Sequence, residues 1–158
     1  RSTLFPYTTL FRSVKFVHRD YHCRNLMCRA DGSIGILDFQ DALWGSPAYD
    51  LVSLTRDCYI RYPQADVCRW EADFRARYLP QESAEDWAQT CDAVSLQRHL
   101  KVLGLFVRLA ERDGKRGYLA DLPLVLAYAC DEAAALPHTA WIADELRRAI
   151  PRLQEKLT

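Results

Sequence analysis

The chain has 158 residues, which is one domain's worth, and 49% of them are hydrophobic, as in a globular core. Its 21 basic and 21 acidic residues balance to a formal net charge of zero. Because no basic field exists to attract nucleic acid or an anionic membrane, we expect neither as a partner. The six cysteines form no CxxC pair, and no signal peptide or long apolar run is visible. We therefore expect a cytoplasmic protein with reduced thiols.

The first 13 residues, RSTLFPYTTLFRS, look foreign to the rest of the chain. Back-translated, they match a widely used sequencing-library adapter read in frame. We interpret residues 1–13 as adapter translation joined to a truncated coding sequence, and residues 14–158 as authentic. A flexible tail of real coding sequence is the alternative, and an uninterrupted genomic frame through this segment would establish it.

Three short strands are predicted over residues 14–17, 26–28 and 34–37. The segment Ala30-Asp31-Gly32-Ser33 separates the second strand from the third, and Asp-Gly readily supplies the positive φ of a hairpin turn. Asn25 precedes one strand of this hairpin and Asp38 follows the other. The hairpin is therefore expected to bring Asn25 and Asp38 together.

Helical patterns begin after Gly45-Ser46-Pro47. Apolar residues at helical spacing, among them Leu51, Leu54 and Cys58, predict a first helix that ends at Tyr62-Pro63. Further helices are predicted over 65–78, 84–109, 122–136 and 139–157, with Pro151 kinking or dividing the last one. The predicted fold class is α+β and mostly helical: a small β-hairpin element, then a helical subdomain over residues 50–158.

The motif that indicates a chemistry lies in VHRDYHCRNLM and in the GILDFQD that follows it. His-x-Asp, four residues, Asn and a later Asp-Phe have the layout of a phosphoryl-transfer site. Asp20 is the predicted base for a substrate hydroxyl. Asn25 and Asp38 are the predicted ligands of Mg²⁺, which prefers hard oxygen donors. The predicted catalytic loop covers residues 17–25 and the metal-binding segment residues 37–41.

Two nearby residues are predicted to support the catalytic loop. His18 can hydrogen-bond backbone near the metal-binding segment, with direct proton transfer as the alternative. Asp50 opens a helix, where it can act as an N-cap, and we expect it to anchor the loop through backbone N–H groups. A zinc site formed by Cys23, Cys28 and the histidines is a weaker alternative, because the cysteine spacing is unusual for one.

Five further residues are candidates for substrate binding: His22, Asp41, Trp44, Arg98 and Lys101. His22 lies in the loop itself, and Asp41 either contacts substrate or is a solvated loop charge. Trp44 either stacks on a sugar face or packs in the core or in a lid. Arg98 and Lys101 either attract the carboxylate of an acidic sugar or belong to a solvated helix face.

With these residues in place, the chain resembles the aminoglycoside phosphotransferase and choline-kinase-like family. HRDYHCRN is similar to the family's HxDxxxxN loop, DFQD stands where protein kinases have Asp-Phe-Gly, and SPAYDLVSL resembles the segment that packs under the site. Two longer stretches, DFQDALWGSPAYDLVSLTRDCY and LQRHLKVLGLFVRLAERDGKRGYLADLPLVL, are similar to the family's bacterial anomeric kinases of N-acetylmuramate and N-acetylglucosamine. The resemblance covers roughly residues 14–158.

The resemblance implies the C-terminal lobe of a protein-kinase-like fold that uses ATP and Mg²⁺. The implied reaction is phosphorylation of the anomeric hydroxyl of an N-acetylated amino sugar in cell-wall recycling, with Asp20 as base and Asn25 and Asp38 as metal ligands. Many family members have Pro-Gly where this chain has Cys23-Arg24, which alters loop rigidity.

The small lobe that carries a Gly-rich loop and a phosphate-gripping Lys has no room ahead of His18. We therefore expect a fragment that lacks its N-terminal, nucleotide-binding lobe, with an exposed apolar patch where that lobe packs and with no activity alone. An aminoglycoside, homoserine or choline kinase is the alternative within the class. A non-catalytic, kinase-like binding protein is the alternative of another class, and no pattern sets an oligomeric state.

Overall fold

A computed structural model describes residues 14–157, and the side chains of residues 14–149. The interpretation of residues 1–13 as adapter translation lies outside the described residues. The chain divides into two compact units. Unit 1 holds the described residues up to Asp57 together with Tyr62–Cys91, and unit 2 holds Cys58–Arg61 and the residues from Asp92 onward.

Unit 1 contains four short strands in two antiparallel pairs: β1 (Lys15–Val17), β2 (Leu26–Cys28), β3 (Ile34–Ile36) and β4 (Leu43–Gly45). The predicted hairpin is confirmed, because β2 pairs with β3. Gly32 takes a φ of 79° in the turn. The Asp31 Oδ1 accepts hydrogen bonds from the Ser33 amide (2.9 Å) and hydroxyl (2.7 Å), which closes the loop.

Strand β4 is the element that the sequence pattern does not predict. It pairs with β1 so that Phe16 lies opposite Trp44. Gly45 leaves room for this pairing, because a Cβ at that position would crowd the Val17 Cγ2 at 3.0 Å. Three residues are too few to show the alternation that marks a strand, and the pairing partner is distant in sequence.

Three helices pack in unit 1: α1 (Ala48–Thr55), α2 (Gln64–Tyr78) and the start of α3 (Ala84–Asp113). Trp87 ties α3 to α2, since its Nε1 donates to the Glu71 carbonyl (2.9 Å) and its ring stacks on Phe74 at 5.8 Å. Buried apolar side chains of unit 1 include Val17, Ala48, Val52, Val67, Leu79, Trp87 and Cys91.

The predicted first helix is wrong beyond Thr55. Arg56 leaves the helical region with φ −121° and ψ 54°. Cys58, which completes the apolar stripe in the sequence, is buried instead in a cluster of unit 2 with Val102, Phe106, Leu122 and Val125. A helical spacing of apolar residues therefore spans two different cores here.

Unit 2 holds the remainder of α3, a 3₁₀ turn (Arg116–Asp121), α4 (Leu122–Ala135) and α5 (Ala140–Leu157). A second buried cluster joins these helices through Leu96, Ala129, Ala133, Leu136 and Ala143. The predicted helices are confirmed in number, although α3 extends to Asp113 and α5 continues through Pro151 without division. The fold is α+β and mostly helical. Within residues 14–157, no helix combines the length and apolar character needed to cross a membrane.

Candidate active site

The predicted catalytic loop joins β1 to β2 and contains strained backbone. Arg19 has a φ of 77° and Asp38 a φ of 64°; within the described part of the chain these are the non-glycine residues with positive φ. A left-handed conformation costs about 1–3 kcal/mol and persists only where its surroundings hold it. Both residues fall in the two segments that the motif predicts, so strain is concentrated at the candidate site.

Asp50, in the first turn of α1, holds the beginning of the loop. Its Oδ2 accepts a hydrogen bond from the His18 backbone N–H (2.6 Å) and its Oδ1 from that of Arg19 (2.9 Å). Bonds to an ionised carboxylate are among the stronger ones, and they fix the peptide at which Arg19 takes its positive φ. Asp50 is not the N-cap of α1, because Pro47 occupies that position.

His18 is buried, and both of its ring nitrogens are engaged. Its Nε2 lies 2.8 Å from the Leu37 carbonyl oxygen, and its Nδ1 lies 3.3 Å from the Asp20 backbone nitrogen. A backbone N–H can only donate, so Nδ1 is the acceptor and Nε2 carries the proton. This tautomer ties the catalytic loop to the segment before Asp38 and supports a scaffold role over proton transfer.

Asp20 is half-buried and is positioned through its backbone. Its carbonyl oxygen accepts from the His22 amide (3.1 Å) and from the Asn25 Nδ2 (2.9 Å). Among residues 14–149, the Asp20 carboxylate itself has no hydrogen-bond partner. The loop therefore fixes the residue while it leaves the carboxylate available to accept a proton.

Asn25 and Asp38 lie next to the two strands at the base of the hairpin. The Leu37 amide donates to the Asn25 carbonyl (3.0 Å), so the two metal-ligand candidates belong to adjoining backbone segments. The Asn25 Nδ2 donates to the Asp20 carbonyl, which leaves its amide oxygen as the accepting atom. Asp38 is exposed, and its Oδ1 accepts a hydrogen bond from the Gln40 Nε2 (2.6 Å). Its Oδ2 is therefore the oxygen that could bind a metal ion.

This donor set fits Mg²⁺. One amide oxygen and one carboxylate supply hard ligands, and Mg²⁺ commonly completes its shell with waters and phosphate oxygens. Zinc gains no support, because the described residues contain no group of three or more His, Cys, Asp or Glu that could hold a metal ion. Cys23 is half-buried and Cys28 is exposed, and neither forms a disulfide bond.

The substrate-binding candidates of unit 1 lie in and beyond the loop. His22 precedes the 3₁₀ turn (Cys23–Asn25), and its Nε2 lies 3.5 Å from the Asn25 Nδ2. Asp41 is exposed, and its carbonyl accepts from the Arg19 Nη1 at 3.4 Å. Trp44 is 69% exposed and meets Phe16 edge-on at 6.3 Å, so it is not a core residue.

The other two candidates, Arg98 and Lys101, belong to unit 2. Arg98 is only 3% exposed, and its Nη2 lies 3.9 Å from the Cys58 Sγ. The alternative of a solvated helix face is therefore wrong for Arg98, whereas Lys101 is exposed as that alternative requires. A substrate-binding role for either residue stays a prediction.

Sequence reasoning missed Asp57, which is fully buried and accepts a hydrogen bond from the Cys23 amide at Oδ2 (2.9 Å). It also missed the buried ion pair beside it, in which Arg56 Nε and Nη2 donate to the two Glu71 oxygens at 2.8 and 2.9 Å. Neither contact can be recognised from the local sequence pattern, because each joins residues far apart in sequence.

Comparison with known proteins relates this chain to a family of phosphotransferases. The model of the phosphotransferase enzyme family (APH) matches residues 12–93, which is more than half of the chain. The chain is 40% identical over 143 residues to an N-acetylmuramate/N-acetylglucosamine kinase of Pseudomonas putida, covering 87% of this chain and 41% of that protein. Proteins of the same name match in Pseudomonas aeruginosa (39% identical; 87% and 41% covered) and Neisseria meningitidis (44% identical; 80% and 39% covered).

The chain thus spans about two fifths of the length of the curated relatives that it matches. The matched family segment contains the β1–β2 loop, the hairpin and α1, where the strained and charged residues are concentrated.

Proposed function

Since the chain belongs to the phosphotransferase enzyme family, we propose that it is part of an ATP-dependent kinase that phosphorylates the anomeric hydroxyl of an N-acetylated amino sugar. The observation that carries this proposal is the Asp20 carboxylate, which a strained and anchored loop presents without a hydrogen-bond partner among residues 14–149. Asn25 and Asp38 offer oxygens beside it at the base of the hairpin.

Asp20 acts as the base in the proposed reaction. It orients the sugar hydroxyl and takes its proton as the oxygen forms a bond to the γ-phosphorus of ATP, while the bond to the ADP oxygen breaks. Asn25 and Asp38 would hold Mg²⁺, which when bound neutralises charge on the phosphates. His18 and Asp50 keep the loop in its strained conformation and touch no reacting atom.

We also propose that this chain is the C-terminal lobe of a protein-kinase-like fold. In this proposal a Gly-rich loop and a phosphate-binding Lys lie in the part of the parent protein outside this chain. Large apolar side chains exposed on the strands of the two sheets support a missing neighbour: Phe16 (67%), Met27 (53%), Ile34 (60%), Ile36 (47%) and Trp44 (69%). Isothermal titration of this chain with ATP and Mg²⁺ is expected to show no binding in the micromolar range, and such binding would refute the proposal.

The amino-sugar preference rests on the names of the relatives and on the two long similar stretches. His22, Asp41 and Trp44 are the proposed sugar contacts on unit 1. Arg98 and Lys101 are proposed to recognise the carboxylate of an acidic amino sugar. An aminoglycoside, homoserine or choline kinase is the alternative substrate assignment.

An acceptor panel with γ-labelled ATP tests the function in the full-length parent, recovered from the upstream gene. We expect Mg²⁺-dependent transfer to N-acetylglucosamine and N-acetylmuramate. Transfer to choline, homoserine or an aminoglycoside, with none to the N-acetylated sugars, would overturn the substrate assignment. Sugar binding without transfer to any acceptor would establish a non-catalytic binding protein instead.

A further inference from the structure

We infer that Asp57 is a positioning residue of the catalytic loop, which it holds at Cys23, between the proposed base Asp20 and the proposed metal ligand Asn25. The inference rests on the proposed function, because only a phosphotransferase gives Asp20 and Asn25 those roles. The contact itself is independent of the reaction: the Cys23 amide donates to the Asp57 Oδ2 at 2.9 Å.

The local structure of the loop explains why Cys23 needs this partner. Cys23 opens a 3₁₀ turn, and the first N–H groups of any helical turn have no acceptor within it. The residue in the N-cap position, His22, makes no side-chain capping hydrogen bond. The carboxylate of Asp57 supplies the missing cap from another part of unit 1.

Two carboxylates therefore hold the loop on either side of Asp20. Asp50 binds the amides of His18 and Arg19 before Asp20, and Asp57 binds the amide of Cys23 after it. Asp50 lies in the first turn of α1, and Asp57 lies just after this helix ends. One short helix thus controls both sides of the loop that presents the proposed base.

A buried ion pair fixes the segment that carries Asp57. Arg56 binds both oxygens of Glu71 on α2, and the two side chains are each 9% exposed. The Thr55 hydroxyl also donates to Glu71 (3.2 Å). Such a planar two-point contact restrains the guanidinium in position and orientation, so the backbone at residues 55–57 is held against α2.

The burial of Asp57 makes its partners necessary. A carboxylate removed from water is strongly unfavourable unless hydrogen bonds compensate for its lost solvation, and Asp57 is fully buried. Burial, followed by the charges of Asp57 and Cys23, raises the pKa of the Tyr62 phenol, which places this ring in the same electrostatic environment.

Amide hydrogen exchange in the 158-residue chain tests the contact without any need for activity. Asp57→Ala removes the acceptor, Asp57→Asn keeps an oxygen acceptor, and Asp73→Asn, on the exposed face of α2, is the matched control. We expect exchange at Cys23 to accelerate about tenfold or more in Asp57→Ala, with a smaller change in Asp57→Asn and none in the control.

Folded Asp57→Ala with unchanged exchange at Cys23 would overturn the inference. If Asp57→Ala does not fold, the unsubstituted chain and Asp57→Asn decide: a Cys23 amide that exchanges as fast as an unstructured one in both refutes the contact.

Kinetics of the full-length parent test the positioning role. We expect Asp57→Ala to lower kcat for sugar phosphorylation at least tenfold with little change in KM for the sugar, and Asp57→Asn to restore most of it. Normal kcat per folded enzyme in Asp57→Ala would show that Asp57 is merely structural. If the parent transfers phosphate to no acceptor, the proposed function fails. The exchange rate at Cys23 still decides whether Asp57 holds the loop, because that measurement does not depend on activity.

Discussion

In unit 1 the carboxylates of Asp50, which is half-buried, and Asp57, which is buried, bind backbone amides around the catalytic loop. In unit 2 a buried carboxylate binds side chains at the α3–α4 contact. Asp50 and Asp57 together accept three hydrogen bonds from loop amides. Glu132 instead accepts from the Ser95 hydroxyl (2.5 Å) and the His99 Nδ1 (2.9 Å), with both partners fully buried. The same functional group fixes a main-chain conformation in one region and helix packing in the other.

The carboxylates of the two regions maintain different kinds of structure. The loop contains strained backbone at Arg19, so its carboxylates maintain a conformation that the chain would otherwise leave. In unit 2 the backbone is regular helix, and the His99 ring stacks on Tyr128 at 5.0 Å, so the Glu132 network specifies how α4 faces α3. Disturbing the first region should affect the site, and disturbing the second should affect stability.

The largest stability effect is expected for Glu132→Ala. Removing the Glu132 carboxylate takes a hydrogen-bond partner from both the Ser95 hydroxyl and the His99 Nδ1, and each buried polar group that loses its partner costs about 1–3 kcal/mol. Urea denaturation of the chain, followed by circular dichroism, measures this loss. The neighbouring Asp131→Ala is the control: its carboxylate is exposed and makes a surface pair with Arg61, so a change below about 1 kcal/mol is expected. Equal losses in the two variants would remove Glu132 from the packing of α4 on α3.

A smaller loss of stability, with a larger local effect, is expected for Asp50→Ala. Hydrogen bonds to a charged group contribute about 1.5–3 kcal/mol each, and relaxation of the strained Arg19 offsets part of the loss. Hydrogen exchange and limited proteolysis should show a loop opened over residues 18–25, which Asp73→Ala should leave protected. A loop that stays as protected as in the unsubstituted chain would contradict the comparison between the regions.

Asp31 is a carboxylate at the surface that also accepts a hydrogen bond from a backbone amide, that of Ser33. The smallest effect is expected there. The Ser33 hydroxyl, followed by the Ser33 amide, lowers the pKa of Asp31 below 3.8. A lowered pKa means that this carboxylate contributes stability above its unfolded value and loses it as the pH falls through the folded value. NMR titration should show the Asp31 pKa return toward its ordinary value in Ser33→Ala. An unchanged pKa in that variant would refute the assigned cause.

The local features of the site could be predicted from the sequence. Asp20 and Asn25 lie in one loop, and Asp-Gly at 31–32 predicts the hairpin whose base joins Asn25 to the segment of Asp38. Neighbours in sequence and a single tight turn are enough to bring these residues together.

Contacts over longer separations could not be predicted. The partners of Asp50 and Asp57 lie more than 30 residues earlier in the chain, and nothing in the local pattern indicates which amide a carboxylate will bind. The predicted end of α1 is wrong for a related reason. Cys58 continues the helical spacing of apolar residues but packs in unit 2. Hydrophobic periodicity shows that a residue is buried, but not in which core.

The turnover of Asp20→Asn in the full-length parent tests the account most directly. The amide cannot take the sugar proton. Among residues 14–149, Asp20 makes its hydrogen bonds through its backbone, so the loop should keep its conformation. We predict a fall in kcat of about 10²–10⁴-fold for phosphorylation of N-acetylglucosamine, with the free energy of unfolding unchanged. Turnover equal to that of the unsubstituted enzyme would contradict the assignment of Asp20 as the base.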